Sequence, residues 1–157
     1  MPRKAPRNAP SDPPEFQVLN EVAIIDQLAQ NRAAHLLAPE LNMSQFIVLN
    51  HFVRLGGTKS LVDLAGAMQV TKGAMTNTVA RLRNKGLVEV NPDPQDGRGK
   101  LVSLTAAGRR ARNRAVSRLV EGLAGLGTVL SKEELADALQ VLRKLRAWFD
   151  GMRPPSG

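Results

Sequence analysis

The chain has 157 residues, 43% of them apolar and 3% aromatic, with a formal net charge of +8. That length suits one domain, or a small domain with an oligomerisation appendage, its core built from Leu, Val, Ile, Ala and Met. Cysteine is absent, which excludes disulfides, thiolate metal sites and thiol redox sensing, and no apolar run is long enough to span a bilayer.

Residues 1–14, MPRKAPRNAPSDPP, are Pro-rich and basic and lack the apolar segment of a signal peptide. They are expected to form a disordered tail in a protein of the reducing cytoplasm. From Glu15 to about Ala38 a helix is predicted, with Phe16, Leu19, Val22, Ala23, Ile25 and Leu28 forming a broad apolar stripe. Pro39 ends it by disfavouring helical geometry at the residue before it.

Asn42-Met43-Ser44-Gln45 has the pattern of a capping box. It opens a second helix through Phe46, Leu49 and Phe52 to about Leu55, stopped by Gly56-Gly57. Ser60 to Asp63 is a weaker capping box before a short helix with Leu61, Leu64, Ala65 and Met68 inward. After a tight turn at Gln69-Val70, Thr71 caps a fourth helix that reaches about Lys85 and closes at Gly86. Two helices so joined form a helix-turn-helix unit. Met75, Val79 and Leu82 face the core of this unit. Lys72, Gly73, Thr76, Asn77, Ala80, Arg83 and Asn84 remain on the open face, with Arg81 at its edge. Small residues and free amides at a helix start suit an approach to base edges and phosphates, although an ordinary polar helix surface has the same composition.

Leu87 to Val90 reads as a strand, residues 91–97 as a turn with a hairpin signal at Asp96-Gly97, and Leu101 to Leu104 as the partner strand. Arg98 and Lys100 fall just past the tip. Asp96 and Arg98 would point to the same side of an extended chain and could pair, either as an oriented groove or phosphate probe or as a weak surface ion pair. Thr105 caps a long helix, about Ala106 to Leu126, with Ala111, Ala115, Leu119, Gly122, Leu123 and Leu126 as its stripe. Gly122, Gly125 and Gly127 weaken its end. Ser131 to Glu134 is a further capping box, and the last helix sets Leu135, Leu139, Leu142, Leu145 and Phe149 on one side. The terminal helices thus carry more apolar surface than a small domain can cover, and a subunit interface is its natural use.

Residues 71–118 contain eleven Lys and Arg against three acids, a local excess equal to the charge of the whole chain. A basic region on a balanced background is the footprint of a polyanion binder. It extends from the hairpin into the start of the long helix.

This order of elements resembles the MarR family of bacterial transcriptional regulators over about Glu15 to Phe149. The most specific segment is DPQDGRGKLVSLTAAG, Asp93 to Gly108. It is similar to the family's wing, an Asp-x-Arg followed by an apolar strand and Leu-Thr-x-x-Gly. Leu64-Ala65, Thr76, Leu82 and Lys85 to Val88 match the helix-turn-helix core. The resemblance implies a mainly α fold, an α+β winged helix. The winged helix-turn-helix domain would span residues 41–104, a helical dimerisation region residues 15–40 and 105–150, and a C-terminal tail residues 151–157. It implies a homodimer on a pseudo-palindromic operator in double-stranded DNA, acting as a ligand-responsive repressor in the bacterial cytoplasm at the nucleoid, with a small-molecule effector and no membrane partner. Thr71, Lys72, Gly73, Thr76, Asn77 and Arg81 would contact DNA from the helix. In the wing, Asp96, Gly97, Arg98 and Lys100 would do so, with Arg98 in the minor groove and Asp96 holding it.

Enzymatic activity, a catalytic residue and a cofactor or metal are not expected. The histidines are His35 and His51 alone, and no phosphate-binding loop or nucleophile pattern is present. The alternative is a winged-helix module that binds protein or RNA.

Overall fold

In a computed structural model of the protein, residues 12–152 are described. Most of the expected tail at 1–14 and of that at 151–157 lies outside them. Helix α1 spans Pro14–Leu37, α2 Met43–Leu55, β1 Lys59–Ser60, α3 Leu61–Met68 and α4 Lys72–Asn84. Strands β2, Val88–Pro92, and β3, Lys100–Leu104, lead into α5, Ala106–Gly122, and, after a short 3-10 turn, α6, Lys132–Gly151. The expected boundaries hold to within a few residues, except that Pro14 already opens α1, α6 runs to Gly151, and α5 stops at Gly122. No described helix is long and apolar enough to cross a membrane.

Side chains set these limits locally. The boxes Asn42/Gln45, Ser60/Asp63 and Ser131/Glu134 form in both directions, each side chain bonding the other residue's backbone N–H. Thr71 Oγ1 accepts from Ala74 N–H at 3.2 Å and starts α4. Between α3 and α4, Gln69 takes a left-handed φ of 52°, and Val70 N–H closes back on Ala65 O at 3.0 Å. Gly86, at φ 70°, reverses the chain after α4.

The sheet order is β1-β3-β2, antiparallel throughout, with Val88 opposite Leu104, Val90 opposite Val102 and Pro92 opposite Lys100. β1 is a strand where the sequence predicts only a helix cap. Two residues carry no period, and this strand exists because β3 offers a free edge at Leu101 and Val102. One core joins α1 to α5 and the sheet: Leu37, Val48, Leu49, Phe52, Leu64, Leu82, Val102 and Ala111 are all at most 1% exposed.

The end of the hairpin and the start of α5 are locked together. Thr105 Oγ1 donates to Gly86 O at 2.8 Å and accepts from Gly108 N–H at 2.9 Å. Gly108 lies so close to the residue before β2 that a Cβ there would be 2.0 Å from Leu87 O. Helix α6 is the opposite case. It buries none of its residues, and Leu139, Leu142, Trp148 and Phe149 are each at least 44% exposed. Much of the apolar stripe of α1 is also bare, with Phe16, Ile25 and Leu28 at least 55% exposed.

Candidate nucleic-acid interface

The core face of α4 is as the sequence predicts: Met75, Val79 and Leu82 are buried. Lys72, Gly73, Thr76, Asn77, Arg81, Arg83 and Asn84 are exposed. Nothing lies within 4 Å of a Cβ placed at Gly73, so this glycine leaves the first turn open. The Thr76 hydroxyl donates to Lys72 O at 2.8 Å.

The predicted residues fall on two flanks of this helix. Arg81 borders a cleft of about 510 Å³ with Asn84, Lys85, Gln45 and the loop at Ala38 to Asn42. Thr76 borders a smaller cleft on the other flank, about 200 Å³, shared with Arg83, Val90 and Lys100. Arg83 therefore stands beside the hairpin, a placement that its spacing of seven from Thr76 already suggests.

The tip of the hairpin is a built turn. Asp93 N–H donates to Gly99 O at 3.0 Å, and Gly99 N–H to Asp96 O at 2.8 Å. The Asp93 carboxylate accepts from Gln95 N–H at 2.9 Å, and the Asp96 carboxylate from Arg98 N–H at 3.1 Å. Asp96 therefore holds the backbone of Arg98, and the Asp96–Arg98 side-chain pair of an extended chain is not formed. The reason is local: a short polar side chain that caps a turn two residues on is aimed inward. A Cβ on Gly99 would sit 3.1 Å from both Asp93 and Asp96, so this glycine lets the turn close. Arg98 and Lys100 are exposed, and the ion pairs among the described residues involve neither.

Four of the eleven basic residues are turned to other work. Lys85 Nζ donates to Glu40 O at 2.6 Å and Gln45 Oε1 at 3.2 Å. Arg112 grips Asn50 Oδ1 through two bonds of 3.0 and 2.8 Å. Arg114 and Arg118 both pair with Glu40. The untethered part of the basic surface therefore ends on α5 at Arg109 and Arg110. Its exposed members are these two with Lys72, Arg81, Arg83, Arg98 and Lys100.

The Arg114 hydrogen bond holds the Glu40 carboxyl below its ordinary 4.5, with the charges of Arg114, Arg118 and Lys85 acting the same way and partial burial opposing them. A depressed folded value means that the cluster stabilises above the unfolded pKa, and that this contribution is lost as pH falls through the folded one. Glu40→Gln should be only slightly less stable than the parent near neutrality, because exposed pairs are screened. Below about pH 4.5 the two proteins should converge. Urea unfolding at about pH 7 and about pH 3 checks this; parallel curves at both would refute it.

His51 is half-buried, its ring edge-on to Phe52. Burial, with the nearby Lys59 and Arg54, lowers its pKa. Among the described residues no cluster of three His, Asp or Glu could hold a metal ion.

A family model of the MarR family matches residues 40–99. The HTH-type transcriptional repressor NicR of Pseudomonas putida is 28% identical over 150 residues, 91% of this chain and 93% of that protein. Transcriptional regulator HosA of Escherichia coli O111:H- is 30% identical over 110 residues, 68% of this chain and 78% of that one. The crystal structure of a mutant MarR from Escherichia coli complexed with operator DNA aligns with a TM-score of 0.66 at 27% identity, over 83% of this chain and 94% of that one. The hairpin at 88–104 is thus a wing, α4 is the second helix of a helix-turn-helix, and the chain belongs to the MarR family of winged-helix transcriptional regulators.

Proposed function

We propose that this protein is a sequence-specific DNA-binding transcriptional regulator, a ligand-responsive repressor acting as a homodimer on a pseudo-palindromic operator in the bacterial cytoplasm. The observation that carries this reading is the division of the basic residues. Lys85, Arg112, Arg114 and Arg118 are held by side chains and carbonyls of the fold. The cations of α4 and the wing are exposed, and the ion pairs among the described residues leave them out. Unneutralised cations on a helix and a hairpin tip suit the phosphate-lined edges of adjacent grooves.

Residues 41–104 would form the DNA-binding unit, and residues 15–40 with 105–150 the dimerisation region. The bare apolar faces of α1 and α6 support the second assignment. Thr71, Lys72, Gly73, Thr76, Asn77 and Arg81 would face the major groove. Asp96, Gly97, Arg98 and Lys100 would contact DNA from the wing, with Arg98 in the minor groove and Asp96 acting through the turn backbone. The relatives NicR and HosA are regulators by name, which supports a protein without catalytic activity. A small-molecule effector belongs to the same proposal.

Arg98→Ala should weaken operator binding by about 1–3 kcal/mol and leave the dimer intact. Fluorescence anisotropy and sedimentation on the same samples check both halves. Unchanged affinity would remove Arg98 from the interface. A salt titration separates this reading from a protein- or RNA-binding module: affinity for duplex DNA should fall steeply with salt while one sequence stays preferred.

A further inference from the structure

The cleft between α4 and the wing has a composition that suits a particular occupant. Its volume is about 200 Å³, and it is lined by Leu61, Thr76, Val79, Ala80, Arg83, Val90 and Lys100. The floor is apolar: Val79 is 3% exposed, and Leu61 and Val90 pack against the core. The register explains why Lys100 borders it. Lys100 shares a face of β3 with Val102, which is fully buried, and lies opposite Pro92 at the open end of the ladder. On the other wall Arg83 follows Val79 by one helical turn. No carboxylate lines the cleft, and neither cation belongs to an ion pair of the described residues. Thr76 has already committed its hydroxyl proton to Lys72 O, so Arg83 and Lys100 are the charged donors.

Two adjacent grooves of a duplex are separated by one sugar–phosphate strand. A helix in one groove and a hairpin in the next must therefore straddle that strand, and the space between them must receive it. We propose that this cleft seats one phosphodiester of each half-site, clamped by Arg83 and Lys100, with the neighbouring deoxyribose against the Leu61–Val79–Val90 floor. The inference rests on the DNA-binding reading and adds Arg83 to it as a positioning residue. A phosphate clamp fixes register without reading sequence.

The test uses the full-length protein, a duplex that the wild type binds, and the same duplex with a single methylphosphonate moved along each strand. Arg83→Gln/Lys100→Gln removes both cations from exposed positions, and its thermal unfolding should match the parent. The slope of log affinity against log salt should become shallower by about 2 for a dimer with two clefts. Affinity should fall by the same factor on the preferred duplex and on random sequence. One methylphosphonate position per half-site should weaken the wild type and leave the double variant unaffected. An unchanged salt slope, a loss confined to the preferred sequence, or a methylphosphonate profile identical to the wild type would each overturn the clamp while leaving DNA binding standing. Failure of the wild type to bind any duplex would instead overturn the DNA-binding reading, and the clamp with it.

Discussion

Gly108→Ala should lower stability by about 3 kcal/mol, the upper part of the usual range for forcing extra volume into a packed site. For a chain of this size that is a fall of roughly 6–12 °C in melting temperature. The added Cβ would lie 2.0 Å from Leu87 O and 2.8 Å from Leu104 Cδ1. The first neighbour is backbone and cannot rotate away. It also accepts from Thr105 N–H at 3.3 Å, so moving it disturbs the cap of α5. The same cap ties α5 to Gly86 and thus to the end of α4. The damage should therefore reach the orientation of the wing as well as the melting point. Gly73→Ala is the matched control. It lies in a helix with nothing within 4 Å of the new methyl, and should raise stability by up to about 1 kcal/mol. Both are read by thermal unfolding at one fixed protein concentration, since a dimer melts in a concentration-dependent way. Equal melting of Gly108→Ala and the parent would contradict the close approach.

Leu142→Glu should convert a dimer into a monomer and cost operator affinity about 100-fold or more. Helix α6 has no buried residue, and Leu142 is 47% exposed in the single chain. A lone helix of this kind is marginal in water, because most helical stability comes from a packed apolar face. Its stripe of Leu135, Leu139, Leu142, Leu145 and Phe149, together with the bare face of α1, is the surface that a second copy would cover. A carboxylate placed within such a face has no partner and is expensive to desolvate. Within the monomer it meets water, so the winged domain should stay folded. The loss of DNA affinity follows because a dimer binds its second half-site intramolecularly, a gain of about 10²–10⁴. Sedimentation equilibrium gives the mass and anisotropy gives the affinity. A variant that stays dimeric would place the interface elsewhere.

Much of this architecture is legible wherever its cause is local. The three capping boxes lie within four residues each, and all three form. The buried face of α4 follows from the spacing of Met75, Val79 and Leu82. What the sequence conceals is settled by chain segments far apart. β1 exists because β3, forty residues on, has an open edge. Glu40 draws Arg114 and Arg118 away from the basic surface across 74 residues or more, which a count along the chain cannot reveal. Asp96 is a subtler case. The alternation that would pair it with Arg98 belongs to extended chain, and at the tip the chain is a turn. Its carboxylate shapes the loop that carries the arginine, so the same two residues cooperate through the backbone.

Selection of bound duplexes from a random pool by the purified protein tests the central claim most directly. A dimer with one recognition helix per subunit should recover a shared motif made of two inverted half-sites. Their centres should lie about one helical turn, roughly 10–10.5 base pairs, or a multiple of it, apart. Recovered duplexes with no common motif, or with a single half-site and no inverted partner, would contradict a dimeric, sequence-specific regulator.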